Sequence, residues 1–188
     1  MHGDEAPSPW VTRFAHLVRP GAAVLDVACG AGRHTAFFAA RGCSVDAVDR
    51  DASVASAFAG LAHVRFLTAD IESGDWPYSG RHFDAVVVTN YLHRALWPHL
   101  REAVANKGVV LYETFARGNE AFGKPSNPAF LLQARELLDV FSQGFFVVAY
   151  EDGELTAPRR ARVQRLCAVR GGDGSFALFD DVAGHARR

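Results

Sequence analysis

Short apolar runs alternate with amphipathic stretches along most of the chain, which predicts strands and helices in turn. Seven runs have strand character: 22–28, 44–49, 64–70, 83–90, 107–115, 145–153 and 160–170. Five stretches space their apolar residues at helical intervals: 10–19, 32–42, 53–62, 94–105 and 129–141. We expect Ser53 to cap the third helix and Pro98 to begin or kink the fourth.

The alternation of strands and helices predicts a parallel sheet with helices on both faces. The last two strands have no helix between them, so we expect an antiparallel hairpin joined through a turn at Pro158. The fold class is therefore α/β: a Rossmann-like, seven-stranded, mostly parallel sheet with a C-terminal antiparallel hairpin. We divide the chain into an N-terminal arm and lid helix (1–21), a main domain (22–170) and a C-terminal tail (171–188).

Composition limits the classes of protein that fit this pattern. A chain of 188 residues with 49% hydrophobic residues can form one folded domain with a substantial core. Its net charge of −1 gives no general attraction to nucleic acid or to an anionic membrane. Three scattered cysteines without a CxxC pattern predict neither a disulfide framework nor a metal site. No apolar run approaches the ~20 residues of a membrane span, and residues 1–10 lack the apolar core of a secretory signal, so we expect a cytoplasmic protein.

A glycine loop follows the first predicted strand. Residues 29–34 are Cys-Gly-Ala-Gly-Arg-His, at the start of a predicted helix. Free N–H groups at a helix start favour an anionic group, and Gly30 and Gly32 permit close approach of a ligand. A dinucleotide loop would have a third glycine where this chain has Thr35. The loop alone indicates a nucleotide-like ligand without identifying it.

Three aspartates at strand ends narrow the choice of ligand. Asp26 lies in the strand before the loop, where it would repel a pyrophosphate and suit an ammonium group. Asp49 ends the next strand and can accept hydrogen bonds from both ribose hydroxyls. Asp70, followed by Ile71, can bond an adenine amino group while Ile71 packs against its ring. S-adenosylmethionine fits these residues, whereas NAD fits poorly because its pyrophosphate would face Asp26.

Four segments in order also carry a family resemblance: "VLDVACGAGRHT", "VDAVDRD", "TADIE" and "FDAVVVTNYLH". They resemble the four motifs of the class I S-adenosylmethionine-dependent methyltransferases, and the resemblance covers residues 22–170. Ala28-Cys29 stands where the commoner first motif has Gly-x. The "ACGxGRH" form resembles a branch that includes tellurite-resistance-type methyltransferases. The resemblance implies a methyltransferase domain over 22–170 with S-adenosylmethionine as cofactor.

The resemblance also implies roles for single residues. Asp26 would lie near the methionine ammonium, Asp49 would hold the ribose with Arg50 flanking the adenine, and Asp70 and Ile71 would recognise the adenine. The other residues assigned to the cofactor site on this basis are Ala28, Cys29, Gly30, Gly32, His34, Asn90 and Leu92.

Several of these residues also have a structural explanation. Asp49 or Asp70 could cap the turn that follows, and Cys29 could be a small buried hydrophobe that contributes only its backbone. Trp10, with Phe14, could cover the cofactor cleft from the N-terminal helix or simply pack that helix on the core.

The acceptor side is less defined, because methyl transfer from a sulfonium is a direct displacement that depends mainly on positioning. Tyr91 follows the fourth strand and could contact the acceptor. His93 could be a base and Arg94 could bind an anionic acceptor; a structural histidine and a solvated arginine are the alternatives.

The polar segment after the fifth strand supplies further candidates. Glu113 could act on the acceptor or organise the loop. Arg117, Asn119 and Lys124 could bind substrate, or the segment could be a surface crossover.

Three functions follow, in order of preference. The first is methyl transfer to a small-molecule acceptor. The second is methylation of RNA, with the run Arg159, Arg160, Arg162 and Arg165 contacting phosphates, although arginines along a strand also mark a solvated face. The third is a nicotinamide-dependent oxidoreductase. The sequence leaves the acceptor atom and the oligomeric state open.

Overall fold

The computed structural model describes residues 6–157 and 159–175. The strands are β1 Ala23–Val27, β2 Ser44–Asp49, β3 Val64–Thr68, β4 Phe83–Thr89, β5 Val104–Phe115, β6 Phe145–Leu155 and β7 Ala161–Arg170. The α-helices are α1 Pro9–Phe14, α2 Arg33–Ala40, α3 Trp97–Ala103 and α4 Glu136–Val140. Shorter 3-10 helices cover Ala15–Leu17, Ala52–Phe58, Arg94–Leu96, Asn119–Ala121 and Pro128–Phe130. Pro158 and the predicted arm and tail residues 1–5 and 176–188 lie outside the described residues.

All seven strands belong to one sheet with the order β3-β2-β1-β4-β5-β7-β6. The strands from β1 to β5 pair in parallel, whereas β7 lies antiparallel between β5 and β6. The predicted fold class is therefore confirmed. The chain direction across the sheet reverses between β1 and β4, and ligands of such sheets bind outside the carboxyl ends of the strands at this switch point.

The core consists of two apolar layers, one on each face of the sheet. In β4, Val86 and Val88 pack with residues of α3 and α4, while Ala85 and Val87 pack with residues of α1 and α2. Side chains alternate between faces along a strand, so a strand buried on both faces is a near-continuous apolar run, as Ala85–Val88 is.

Two helix predictions are wrong in detail. The predicted helix 129–141 is divided, because the backbone N–H of Leu132 donates to the carbonyl of Phe115 and holds this stretch extended beside the end of β5. In place of the predicted helix 53–62 the chain forms a 3-10 helix, Ala52–Phe58. Its cap is Asp51, which accepts the N–H of Ser53 at 2.9 Å. In the first segment a contact with β5 replaces the helical pattern, and in the second a cap at Asp51 begins a 3-10 helix.

No helix in residues 6–157 and 159–175 combines the length and apolar character needed to cross a membrane.

Candidate functional site

The glycine loop connects β1 to α2 at the carboxyl edge of the sheet. Gly30 has φ +52° and Gly32 has φ +81°, a left-handed region that favours glycine. A Cβ on Gly32 would collide with the ring of Phe58, whereas a Cβ on Gly30 would meet no atom within 4 Å. Gly32 is thus required for packing, and Gly30 leaves space open above the loop.

Ala28 occupies a left-handed conformation as well, with φ +52°. This conformation costs a residue with a Cβ about 1–2 kcal/mol. The commoner first motif has glycine here, so the fold keeps the backbone shape of that motif despite the substitution. Asn90, at the end of β4, has φ +55°. Strained residues of this kind cluster at functional sites.

Thr35, at the place of the missing third glycine, is fully buried and donates a hydrogen bond of 2.6 Å to Oδ2 of Asp26. Asp26 is 1% exposed, and its burial raises its pKa to about 6 despite this bond. Among the described residues Asp26 has no salt-bridge partner. A cation bound above the loop would stabilise the charged form of this buried, unpaired carboxylate.

A cleft of about 180 Å³ lies beside the loop, across the carboxyl ends of β1, β2 and β3. Its lining residues are Ala28, Asp49, Arg50, Ala69, Asp70, Ile71, Glu72 and Tyr91. The sequence patterns did not single out Ala69 and Glu72. Both residues flank Asp70-Ile71 within the third motif, and this position was the sequence signal that could have identified them.

Asp49 joins the cleft to the glycine loop. Its Oδ2 accepts the N–H of Gly30 at 2.8 Å, and its Oδ1 accepts the N–H of Asp51 at 2.9 Å. Asp51, rather than Asp49, caps the following 3-10 helix. Each oxygen of Asp49 retains a lone pair, so the carboxylate can still accept hydrogen bonds from a ligand in the cleft.

Asp70 lines the cleft, but its carboxylate is engaged in the turn that follows. Oδ1 accepts the N–H groups of Glu72 and Ser73, and Oδ2 accepts the Ser73 hydroxyl at 2.7 Å. The Ser73 hydroxyl bond holds the pKa of Asp70 below its usual range. The capping role that the sequence offered as an alternative is therefore realised in the structure.

Tyr91 lines the cleft, and its predicted contact with the acceptor stays a prediction. Burial, followed by the neighbouring Glu72 carboxylate, raises the pKa of its hydroxyl. His93 lies beside the same carboxylate, with Nδ1 4.0 Å from Oε2 of Glu72. Its role as a base stays a prediction.

Trp10 and His34 do not line the cleft. Trp10 is 1% exposed and donates its indole N–H to the carbonyl of Leu166, so it packs α1 on the sheet. His34 is also 1% exposed; its Nε2 accepts the N–H of Ser8 at 3.1 Å and its Nδ1 lies 3.4 Å from Oγ1 of Thr89. Burial lowers the pKa of His34 to about 3. Both residues are structural because their polar atoms are already bonded within the fold.

Arg94 is also engaged within the fold, rather than open to an anionic acceptor as predicted. Its guanidinium bonds both carboxylate oxygens of Glu136 at 2.7 and 2.8 Å, and it also donates to the carbonyls of Ala129 and Leu131. These bonds hold the segment after β5 against the 3-10 helix that precedes α3. A guanidinium with this many partners has little capacity for an anionic acceptor.

Glu113 and Asn119 are also held by structural partners. Glu113 accepts the Ser8 hydroxyl at 2.9 Å and forms an ion pair with Arg165, whose Nε lies 2.5 Å from Oε2. Asn119 is 1% exposed; it donates to the carbonyl of Pro125 and accepts the N–H of Arg162. Asn119 organises the segment after β5, whereas Glu113 connects β5 to Ser8 and to β7.

The remaining predicted residues differ in exposure. Arg117, Lys124 and Asn90 are exposed, and their roles toward a substrate or cofactor stay predictions. Leu92 is buried in the core layer of α3 and α4. Cys29 is buried, and burial raises the pKa of its thiol, as expected for a small hydrophobe.

The arginines of the run 159–165, which were predicted to contact RNA phosphates, do not share one surface. Arg165 pairs with Glu113 and Glu151, whereas Arg162, an odd number of residues away, pairs with Asp152 at 2.7 Å. Residues at odd separations along a strand face opposite sides of the sheet. Arg160 pairs with Glu154. These arginines are divided between two faces and paired with carboxylates, which weakens the case for a phosphate-binding surface.

Comparison with known proteins agrees with this geometry. Residues 24–112 match a family model described as a methyltransferase domain. No curated protein matches the chain. Within residues 6–157 and 159–175, no group of three or more His, Cys, Asp or Glu residues is arranged to hold a metal.

Three solved structures share the fold. TehB from Haemophilus influenzae has a TM-score of 0.70 at 18% identity, over 90% of this chain and 62% of that one. A Burkholderia thailandensis 1,6-didemethyltoxoflavin-N1-methyltransferase, with bound 1,6-didemethyltoxoflavin and S-adenosylhomocysteine, has a TM-score of 0.63 at 21% identity, over 87% and 76%. Coclaurine N-methyltransferase, bound to N-methylheliamine and S-adenosylhomocysteine, has a TM-score of 0.63 at 13% identity, over 84% and 70%. This chain thus spans less than two thirds of TehB.

The sheet has the fold of the solved methyltransferases, and residues 24–112 match a methyltransferase-domain model. Both findings support the family resemblance seen in the sequence.

Proposed function

We propose that the chain transfers the methyl group of S-adenosylmethionine to a small-molecule acceptor by direct displacement. The observation that carries the proposal is the cleft at the ends of β1–β3, where Asp49 is bonded to Gly30 of the glycine loop and faces the space above it. When bound, the cofactor supplies an electrophilic methyl group on a sulfonium.

The residues present fit this cofactor better than a dinucleotide. Asp26 and Asp49 lie on either side of the loop, and two carboxylates would repel a pyrophosphate. Asp26 suits the methionine ammonium, because it is buried with a pKa raised to about 6 and has no salt-bridge partner among the described residues. Asp49 suits a ribose, since each of its oxygens has one backbone donor and room for another. Gly30 leaves the space above the loop open.

The chain's own contribution to the reaction is positioning. Asp26 would hold the methionine ammonium and Asp49 the ribose, so the sulfonium between these two groups would be fixed in place. An acceptor entering at the ends of β4 and β5 would be bounded by Asn90 and by the segment after β5. Correct alignment can supply a large part of the rate of such a displacement.

A small-molecule acceptor is supported by two observations. The arginines proposed for RNA binding are split between two faces and are paired with carboxylates. The Burkholderia and coclaurine methyltransferases were solved with small molecules bound beside S-adenosylhomocysteine. A small-molecule acceptor is therefore preferred to RNA.

Binding calorimetry with S-adenosylhomocysteine tests the cofactor site. Asp49→Ala should weaken binding by about 10- to 100-fold, since hydrogen bonds to a charged group are worth about 1.5–3 kcal/mol. Asp51→Ala is the matched control: Asp51 is two residues away but its carboxylate caps a 3-10 helix, so affinity should stay within about threefold.

Absence of binding by folded protein, or equal binding by Asp49→Ala and wild type, would reject the cofactor site. Formation of S-adenosylhomocysteine with small amines, thiols and carboxylates, compared with RNA, tests the acceptor class. Turnover with RNA alone would reject the small-molecule acceptor.

A further inference from the structure

The antiparallel part of the sheet extends past the strand end where an acceptor would enter. Thr89, the last residue of β4, pairs with Glu113, but β5 continues for two more residues. The next residue, Ala116, still donates its N–H to the carbonyl of Arg162 on β7. The segment 116–132 therefore begins beyond the end of β4 and borders the opening at the ends of β4 and β5.

Arg117, the second residue of this segment, has its guanidinium oriented by an uncharged partner. Its backbone N–H donates to the carbonyl of Leu132 at 2.9 Å, which places Arg117 beside Gln133. In the amide orientation of Gln133 that satisfies both groups, its oxygen accepts from Nε and Nη2 of Arg117, each at 3.1 Å. Gln133 is itself held, since its backbone N–H donates to Glu136 at 2.7 Å. The guanidinium is thus fixed in direction without being neutralised.

This arrangement leaves binding capacity on the Arg117 guanidinium. Of its five N–H donors, the Gln133 oxygen takes one on Nε and one on Nη2. The edge formed by Nη1 and Nη2 keeps a parallel pair of donors, which is the geometry that binds a carboxylate or a phosphate through two hydrogen bonds. Arg117 is exposed, and no carboxylate of residues 6–157 and 159–175 forms an ion pair with it.

The charges around Arg117 favour an anion as well. Lys124 lies on the same segment, and the guanidinium carbon of Arg159 lies 5.7 Å from the ring centroid of Phe115 at the end of β5. Both cations are exposed, and neither is paired with a carboxylate in the part of the chain that the structure describes. Glu120 is the one acidic residue in the sequence of the segment, and its carboxylate accepts a backbone N–H. The segment therefore presents an excess of positive charge.

We propose that Arg117, oriented by Gln133, binds an anionic group of the methyl acceptor, so that the acceptor is a small molecule carrying a carboxylate or a phosphate. This assignment rests on the proposed function, because it places the anionic group at the opening where the acceptor enters. Gln133 is a positioning residue that directs the guanidinium and leaves its charge for the ligand. Arg94 cannot take this role, since Glu136 already neutralises it.

Titration with inorganic phosphate and, separately, with acetate tests the site. Backbone amide resonances of 116–133 are followed at constant ionic strength in protein saturated with S-adenosylhomocysteine. Wild type should give saturable shifts in this segment, and the tighter of the two anions identifies the group. Arg117→Gln should weaken binding about tenfold or more, because a bidentate, charge-assisted contact is lost. Gln133→Glu should weaken it about as much, since the added negative charge neutralises the guanidinium and repels the anion.

Arg160→Gln is the matched control. Arg160 is also exposed and near the end of β5, but it is paired with Glu154 at 3.3 Å, so affinity should stay within about threefold. The proposal is overturned if neither anion gives saturable shifts in 116–133, if Gln133→Glu binds like wild type, or if Arg160→Gln weakens binding as much as Arg117→Gln.

The two ligands should also bind independently. Phosphate affinity without S-adenosylhomocysteine should agree with that of the saturated protein within about threefold, because acceptor and cofactor occupy separate places. Competition between them would assign Arg117 to the cofactor and overturn the proposal. Failure of wild type to bind S-adenosylhomocysteine would reject the proposed function, whereas binding of S-adenosylhomocysteine without binding of either anion would reject this inference alone.

Discussion

At the scale of single residues, buried polar groups determine the chemistry of the glycine loop. Thr35 replaces a glycine of the dinucleotide loop, and its hydroxyl is the only side-chain donor that the described residues offer to Asp26. His34, one residue earlier, is neutral because burial lowers its pKa to about 3. The first motif therefore combines a chargeable buried carboxylate with a histidine that stays uncharged.

These two groups affect stability in opposite directions as pH changes. The pKa of Asp26 is raised above its ordinary value of 3.8 to about 6, so folding favours its protonated form and stability falls as pH rises through this window. The pKa of His34 is lowered from 6.5, so stability is lost as pH falls below that value. Between pH about 4 and 6 the two contributions partly cancel.

We expect Asp26→Asn to stabilise the protein at pH about 7.5 by roughly 1–3 kcal/mol, because about 2 pKa units correspond to about 3 kcal/mol for a fully buried group. The advantage should decline as pH falls toward about 4, where Asp26 of the folded wild type is protonated. Urea unfolding at several pH values measures both effects. A variant that is destabilised equally at all pH values would contradict this account. The same variant should bind S-adenosylmethionine less tightly, since the ammonium loses its carboxylate.

At the scale of elements, the segment between β5 and α4 is shaped by contacts with other elements. The apolar pattern of 129–141 predicts one helix, but Leu132 bonds to the end of β5 and Arg135 adopts φ +64° just before α4. Arg94 fixes this arrangement from the other side through Glu136. Contacts with β5 and Arg94 therefore override the local helical preference of this segment.

Replacing Arg94 tests its structural role. Arg94→Lys should lower the free energy of unfolding by roughly 1–3 kcal/mol, since an ammonium cannot reproduce bidentate bonding to Glu136 together with two carbonyl bonds. Affinity for S-adenosylhomocysteine should be unchanged. The control is Arg19→Lys, at an exposed pair with Asp84, where the change should stay within about 0.5 kcal/mol. A variant that keeps wild-type stability but loses turnover with an anionic acceptor would restore the acceptor role that the sequence suggested.

At the scale of the whole molecule, residues far apart in the chain meet at the carboxyl edge of the sheet. Ser8 is 2% exposed and connects the N-terminal arm to α2 through His34 and to β5 through Glu113. Arg165 extends the connection to β7, and Glu151 on β6 pairs with both Arg165 and Arg13 of α1. This network attaches α1 to the sheet next to the ends of β4 and β5.

We expect Ser8→Ala to lower stability by roughly 1–3 kcal/mol, because it removes the α1 cap and leaves Glu113 without one of its two partners. Amide hydrogen exchange in 9–14 should accelerate more than in β1 or β4. Ser53→Ala is the control, since Ser53 is exposed and the cap at that helix is Asp51. Equal effects of the two substitutions would show that the Ser8 network does not hold α1.

Local patterns in the sequence are sufficient to predict the strands, the fold class and the cofactor class. The strands of this sheet are short apolar runs, and the glycine loop and three strand-end aspartates lie within local motifs, so their signals are contained in a few neighbouring residues. The meeting of strand ends at one sheet edge then follows from parallel pairing. For this reason the sequence alone assigns Asp49, Asp70 and Ile71 to one cleft.

Which polar side chains remain available to a ligand depends instead on contacts between distant parts of the chain. Arg94, Glu113, Asn119 and His34 are plausible site residues by type and position, yet each bonds to a residue between 26 and 105 positions away. Hydrogen-bond partners at such separations leave no periodic signal in the chain.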